Sequence, residues 1–229
     1  MVGPKNAFWQ ALVFSIMIFI IGFILGLFLE IGRTEQININ LINSEINLLD
    51  EQLRNKLLED IEIDCKLAKK SAFEFADRIY EEAQKLEEYD AASTFTDTLK
   101  VLHRRYDLLR LILWTESIKI KEKCGSDFHT IIYFFEYDIQ NIEKRAKQTS
   151  LSRLLIDIKE ENPDEILLIP IASNLNLDSI NLARESLNVK SSPAIIIDEK
   201  EVIYNILTFE EIQEIIFKEK KEKIILNSN

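Results

Sequence analysis

The chain has 229 residues, with 28 Lys and Arg against 39 Asp and Glu, a formal charge of −11. Nucleic acid is excluded as a partner, because binding it takes a basic face that replaces counterions on the phosphates. Glycine is scarce too: Gly3, Gly22, Gly26 and Gly32 stand in or beside the first apolar segment, and only Gly125 follows. A glycine-rich phosphate loop, whose backbone N–H groups must approach the ligand closely, is therefore excluded.

From Asn6 to Leu29 no residue is charged. About 20 apolar residues at 1.5 Å rise match the roughly 30 Å hydrocarbon core, and a helix satisfies its own backbone there. A cleaved signal peptide is the rival reading, but its apolar region is about 7 to 15 residues long and ends at small residues. Here the run ends in Leu27, Phe28, Leu29 and Glu30, so residues 1–32 are expected to be a short cytoplasmic tip and an uncleaved signal anchor in the lipid bilayer. Phe8 and Trp9 suit an interfacial aromatic belt. Lys5 and the amino terminus outweigh Arg33, which favours the bulk of the chain outside the cytoplasm. Gly22 and Gly26 form a G-x-x-x-G, the spacing that lets two membrane helices pack closely as a homodimer. The opposite orientation, a cytoplasmic-facing helical adaptor, remains open.

Residues 33–125 read as helical. A polar stretch from Thr34 to Asn40 leads into Leu41, Ile42, Ile46, Leu49, Leu53 and Leu57, an amphipathic helix of coiled-coil-like spacing. It is shorter than the three or four heptads that a sustained coiled coil takes. The pattern resumes from Cys65 to about Tyr89, and again from about Phe95 to Lys121 through Leu99, Leu102, Tyr106, Leu109, Leu113 and Trp114. Asp90 to Thr94 is expected to link them, with Thr94 and Asp97 as a capping pair. Two long helices with a short link predict an antiparallel hairpin over about 65–124.

The chain's two cysteines, Cys65 and Cys124, fall at the open end of that hairpin. There their Cα atoms can come within the 4.4 to 6.8 Å that a disulfide needs, and an extracytoplasmic location would supply the oxidising conditions. Free buried thiols in a cytosolic domain remain the alternative. Without a neighbouring His or Cys cluster they make no zinc site, and no metal or cofactor is expected.

Beyond Gly125 short apolar runs alternate with helical stretches. Thr130 to Phe135 is a strand, about Asn141 to Lys159 a helix, Ile166 to Ala172 a strand, about Leu177 to Leu187 a helix. Ala194 to Ile197 and Val202 to Ile206 are strands separated by Asp198 to Glu201, and a helix runs from Phe209 to about Lys220. Strand–helix alternation of this kind predicts parallel pairing, and the last two strands a hairpin. Residues 221–229 read as a tail.

The order β-α-β-α-β-β-α, with TIIYFF first, ILLIPIA second, LDSINLARESLNV between, and Ser192-Pro193 opening SSPAIIID, resembles a thioredoxin fold over about residues 127 to 220. The whole arrangement is similar to archaeal membrane-anchored thioredoxin-like proteins. The resemblance implies a cis-proline at Pro193 and a groove that pairs with an extended peptide through backbone hydrogen bonds. It places Ser191, Ser192 and Pro193 at that groove, with Tyr137 and Asp138 opposite. It also implies a C-x-x-C after the first strand, where a helix N-terminus lowers a thiol pKa. This chain reads Glu136, Tyr137, Asp138, Ile139, Gln140, Asn141, Ile142, Glu143, with no sulfur. Thiol exchange is therefore not carried over, and Asp138 is read as a helix cap.

His103 in HRRY and the Glu pairs 81–82, 87–88 and 160–161 are expected on solvated faces, and Tyr106 and Trp114 in a helical core. The expectation is a membrane-anchored, non-enzymatic protein that binds a protein or peptide of unknown identity. The alternative is a thiol relay through Cys65 and Cys124.

Overall fold

A computed structural model describes residues 8–10, 12–27, 45, 50, 52–53, 64–91, 96–125 and 128–227. The expected helix from Leu41 to Leu57 (apart from Glu45, Asp50, Gln52 and Leu53), the Thr94 half of the capping pair and residues 92–94 of the expected link lie outside them, while Asp90 and Ala91, expected in that link, belong to a helix. The chain divides into two units, residues 1–49 and 50–229.

In the first unit, α1 (Phe8–Leu27) is long and apolar enough to cross a membrane. Its described large apolar side chains are exposed, Phe19 at 74% and Ile18 at 71%. Gly22 and Gly26 sit on it with open space where a Cβ would project.

The second unit begins with α2 (Cys65–Ala91) and α3 (Thr96–Cys124). On α2, Ala68, Ala72, Phe75, Ile79 and Leu86 recur at helical spacing and are buried. Cys65 opens α2 and Cys124 closes α3, and they are joined by a disulfide with Cα atoms 5.6 Å apart, so the two helices run antiparallel. Gly125, at φ 78°, then adopts the left-handed conformation that ends a helix without a Cβ clash.

Strand β1 (His129–Phe135) follows, then α4 (Ile142–Glu161), β2 (Ile166–Ala172), α5 (Asp178–Ser186), β3 (Ala194–Ile197), β4 (Glu201–Ile203) and α6 (Phe209–Asn227). The sequence-predicted order is found. Strand β4 is shorter than expected, ending at Ile203 rather than Ile206, and α6 runs longer, to Asn227. The sheet order is β2-β1-β3-β4. Strands β1 and β2 pair in parallel, and β3 runs antiparallel to both β1 and β4.

Alternation along β1 divides the core. On one face Ile131 and Tyr133 pack with Ile195, Ile197 and Ile203 under Leu151, Leu155 and Ile158 of α4 and Ile212 and Ile216 of α6. On the other, α3 lies across β1 and β2, where the Trp114 ring meets Phe134 edge-on at 6.2 Å and Arg184 of α5 lies over the same ring. Phe134 is fully buried, a contribution of about 2 to 3 kcal/mol. The hairpin is thus a cover for one face of the sheet.

One edge of the sheet is blunted by its own sequence. Among the described residues strand β2 pairs only with β1, and the Ser173 N–H points inward to the Phe135 carbonyl. Strand alternation therefore turns the imide nitrogen of Pro170 outward, and proline has no hydrogen there to offer.

Candidate functional site: the cis-proline end of the sheet

Three loops meet where the parallel strands end. The first runs from Glu136 to Asn141 after β1, the second from Ser173 to Leu177 after β2, and the third from Leu187 to Pro193 before β3. The Ser192–Pro193 peptide bond is cis.

A ladder of polar contacts fixes them. The Ser173 hydroxyl donates to the Phe135 carbonyl at 2.8 Å, and the Ser192 hydroxyl donates to the Ser173 oxygen at 2.8 Å. The Tyr137 N–H donates to Asn174 Oδ1, and Asn174 Nδ2 donates back to the Tyr137 carbonyl, both at 2.8 Å. The Gln148 side chain does the same for Glu136, accepting from its N–H at 2.8 Å and donating to its carbonyl at 3.0 Å. Lys144 pairs with the Glu136 carboxylate. The Tyr204 hydroxyl accepts from the Lys190 N–H at 3.0 Å.

The five groove residues expected from sequence divide into two groups. Ser191 and Asp138 are exposed, and Tyr137 is half-buried. Ser192 and Pro193 are buried, with the Ser192 side chain turned inward onto Ser173. Among the described residues, no hydrogen bond uses the backbone N–H or C=O of Ser191 or Ser192. Asp138 does not cap α4. Asn141 does so, accepting from the Lys144 N–H at 2.9 Å. Asp138 sits in the loop at φ 50° and accepts from Gln140. The left-handed turn at Asp138 leaves room for three more residues before the helix starts.

His103 is not on a solvated face. It is half-buried, its ring 4.2 Å from that of Tyr137. One residue on, Arg104 donates to the Asn176 carbonyl at 3.4 Å. One turn further, Asp107 is 1% exposed, accepts from Arg110 Nη1 at 3.0 Å, and keeps Oδ2 without a hydrogen-bond partner among the described residues. Burial pushes its carboxyl up to about 6, against the pull of the Arg110 charge. Burial also raises Tyr106, with the charge of Glu82 and its hydrogen bond adding to the effect.

The other end of α3 is fastened differently. Lys121 Nζ reaches Thr130 Oγ1 at 2.7 Å, Asp198 Oδ1 at 3.1 Å and Glu199 Oε2 at 2.7 Å. Trp114 Nε1 donates to Glu199 Oε1 at 2.9 Å. His129 Nδ1 lies 2.6 Å from Asp198 Oδ2, and the Thr130 N–H donates to Asp198 Oδ1 at 3.0 Å. Burial opposes ionisation of Asp198, but the bonds from His129 and Thr130 and the Lys121 charge outweigh it and hold the carboxyl at about 2. Both acids lie in the β3–β4 turn at positive φ, 48° and 59°.

Sequence reasoning expected a plain hairpin there and missed Lys121, Asp198 and Glu199 as partners. A signal exists in α3: Leu108, Leu109, Leu111, Ile112, Leu113 and Trp114 exceed the single stripe of a helix with one buried face. The disulfide is not fully enclosed, for Cys65 is exposed and Cys124 half-buried. Among the described residues, no group of three or more His, Cys, Asp or Glu is placed to hold a metal ion. No protein-family model matches the chain, and no curated protein matches it.

Proposed function

We propose that this chain is a single-pass membrane-anchored protein whose extracytoplasmic part joins a disulfide-clamped helical hairpin to a thioredoxin-like domain, and that its work is to bind an extended protein or peptide segment rather than to exchange thiols. The strand order β2-β1-β3-β4 and the cis bond before β3 support the thioredoxin-like reading. The observation that carries the binding reading is the uncommitted main chain of Ser191 and Ser192 beside that bond. An extended segment can add its own N–H and C=O there, as in other strand-addition modes. The sheet edges are poor competitors: β2 carries Pro170, which has no N–H to offer, and β4 is three residues long with Glu201 exposed. Disulfide exchange needs a thiolate, and the two cysteine sulfurs are bonded to each other on the hairpin.

Selection of peptides from a displayed random library by the purified full chain, followed by Ser191→Pro, tests the binding reading. Selected peptides should lose at least tenfold in affinity for S191P, which has no N–H at residue 191. Unchanged affinity would place the peptide elsewhere. Reduction of insulin disulfides by the same protein should not exceed background, and turnover that persists in a C65S/C124S variant would overturn the non-redox reading. Thiol labelling in intact cells before and after a reductant reports the side of the membrane.

A further inference from the structure

We propose that the wall of the groove formed around Lys147 and Lys190 selects an acidic residue, so that the partner is an extended protein segment carrying Asp or Glu beside an apolar side chain. The inference rests on the groove reading and adds the chemistry of its occupant. Leu187 to Pro193, before β3, and Tyr204 to Thr208, between β4 and α6, contain no Asp or Glu, in a chain of charge −11. Tyr204 knits both segments to α4. Its carbonyl accepts from Lys147 Nζ at 2.9 Å, and its hydroxyl accepts from the Lys190 N–H at 3.0 Å and donates to the Asn188 carbonyl at 3.4 Å.

Elsewhere in this unit Lys70, Arg110, Lys121 and Lys144 each pair with a carboxylate. Lys147 gives its hydrogen to a neutral carbonyl and Lys190 is exposed, and among the described residues neither makes an ion pair. The nearby acids are committed to other roles or turned elsewhere. Glu136 is taken by Lys144 and Asp138 accepts from Gln140, while Glu143 stands in the first turn of α4, where the helix dipole favours a carboxylate. Glu185 and Glu210, exposed on the helices that flank the two segments, bond to neither lysine. A carbonyl leaves the ammonium charge uncompensated, so an incoming carboxylate gains a charge-assisted hydrogen bond without displacing another acid.

The position suits an occupant that lies along the main chain. A segment bonded to the open N–H and C=O of Ser191 passes Lys190 one residue away, about 3.4 Å along the strand. Ile206 is 58% exposed and offers an apolar contact two residues beyond the carbonyl that holds Lys147. Attraction between exposed charges is screened by salt, and a charge at the rim of an interface acts chiefly on encounter and on salt dependence.

Peptides selected from the displayed library by the full chain in detergent micelles are expected to be enriched in Asp and Glu. For such a peptide, Lys190→Glu should weaken binding about tenfold at low salt, read by fluorescence anisotropy, and a peptide with Lys in place of its acid should bind K190E better than the unaltered chain. Lys190 is exposed, so this substitution spares the fold. Lys147→Gln, which removes the charge and keeps an N–H for the Tyr204 carbonyl, should weaken the same peptide in the same direction. Peptides that are lost on S191P yet show no acidic enrichment, or that bind K190E as tightly as the unaltered chain, would overturn the acidic reading and leave the groove standing. Peptides insensitive to S191P would overturn the groove and this inference with it. Short-chain phosphatidylglycerol added to the micelles should displace the peptide no better than short-chain phosphatidylcholine. Displacement by the anionic lipid alone would assign the two lysines to lipid headgroups and overturn the proposal.

Discussion

Along α3 one buried carboxylate is paired within the helix, and towards the helix's C-terminal end another reaches it from the β3–β4 turn. Asp107 and Asp198 are the same residue type in the same interface, yet one is pushed up to about 6 and the other held at about 2. The difference lies in the number of donors against the depth of burial. Asp198 spreads its charge over His129, the Thr130 N–H and Lys121. Asp107 lies deeper, with Arg110 on one oxygen and the other left over. One end of the interface is electrostatically saturated, and the other is not.

The largest expected effect tests how much of the hairpin's hold is covalent. Reduction of Cys65–Cys124 releases a loop of sequence separation 59 and should cost about 4 kcal/mol by chain entropy, measured by urea unfolding with and without reductant. A loss below about 1 kcal/mol would mean that the ion cluster and core already fix both helices. Next, Lys121→Met removes the cation shared by Asp198 and Glu199, and should cost about 3 kcal/mol in the same experiment because two part-buried carboxylates lose their counter-charge. If it costs under 1 kcal/mol, the saturated end is not held by charge.

The smallest effect separates the two carboxylates by sign. Asp198 is held below its ordinary 3.8, so its contribution is complete above that value and is lost as pH falls through 2, about 2 kcal/mol in all. Asp107 is raised, so its term runs the other way and favours the fold as pH falls from 6 toward 4. Acid unfolding curves of Asp198→Asn and Asp107→Asn should therefore diverge, D198N losing the transition near pH 2 to 4 and D107N losing the gain between 4 and 6. Parallel curves would erase the distinction.

Most of the frame was legible because it rests on local periodicity. Continuous β-branched runs such as Thr130 to Phe135 have one comfortable conformation, and helical spacing in α2 and α3 set the hairpin whose ends the cysteines mark. What was not legible is how the hairpin lies on the sheet. Asp107, Glu116 and Lys121 look in sequence like members of a solvated face, yet Asp107 and Glu116 are buried and Lys121 reaches Thr130, Asp198 and Glu199. His103 was misread for the same reason, since its neighbour in space, Tyr137, is 34 positions away by number. Asn141 displaced Asp138 as the α4 cap because the left-handed turn at Asp138 delays the helix. Strand β4 stopped early where Tyr204 leaves the sheet, its hydroxyl serving Lys190 and its carbonyl serving Lys147.

The disulfide also decides how force enters the molecule. A pull on the chain ahead of Asp64 arrives at Cys65, crosses to Cys124, and continues through Gly125 into β1, which lies between β2 and β3 in the sheet. The whole hairpin, α2 and α3 together, is bypassed and bears no tension. With the thiols separated the same pull would run the length of α2 first, peeling it from α3 one turn at a time. The bond thus makes the hairpin a passenger on the load path, free to keep its hold on the cis-proline end of the sheet while the chain is under strain.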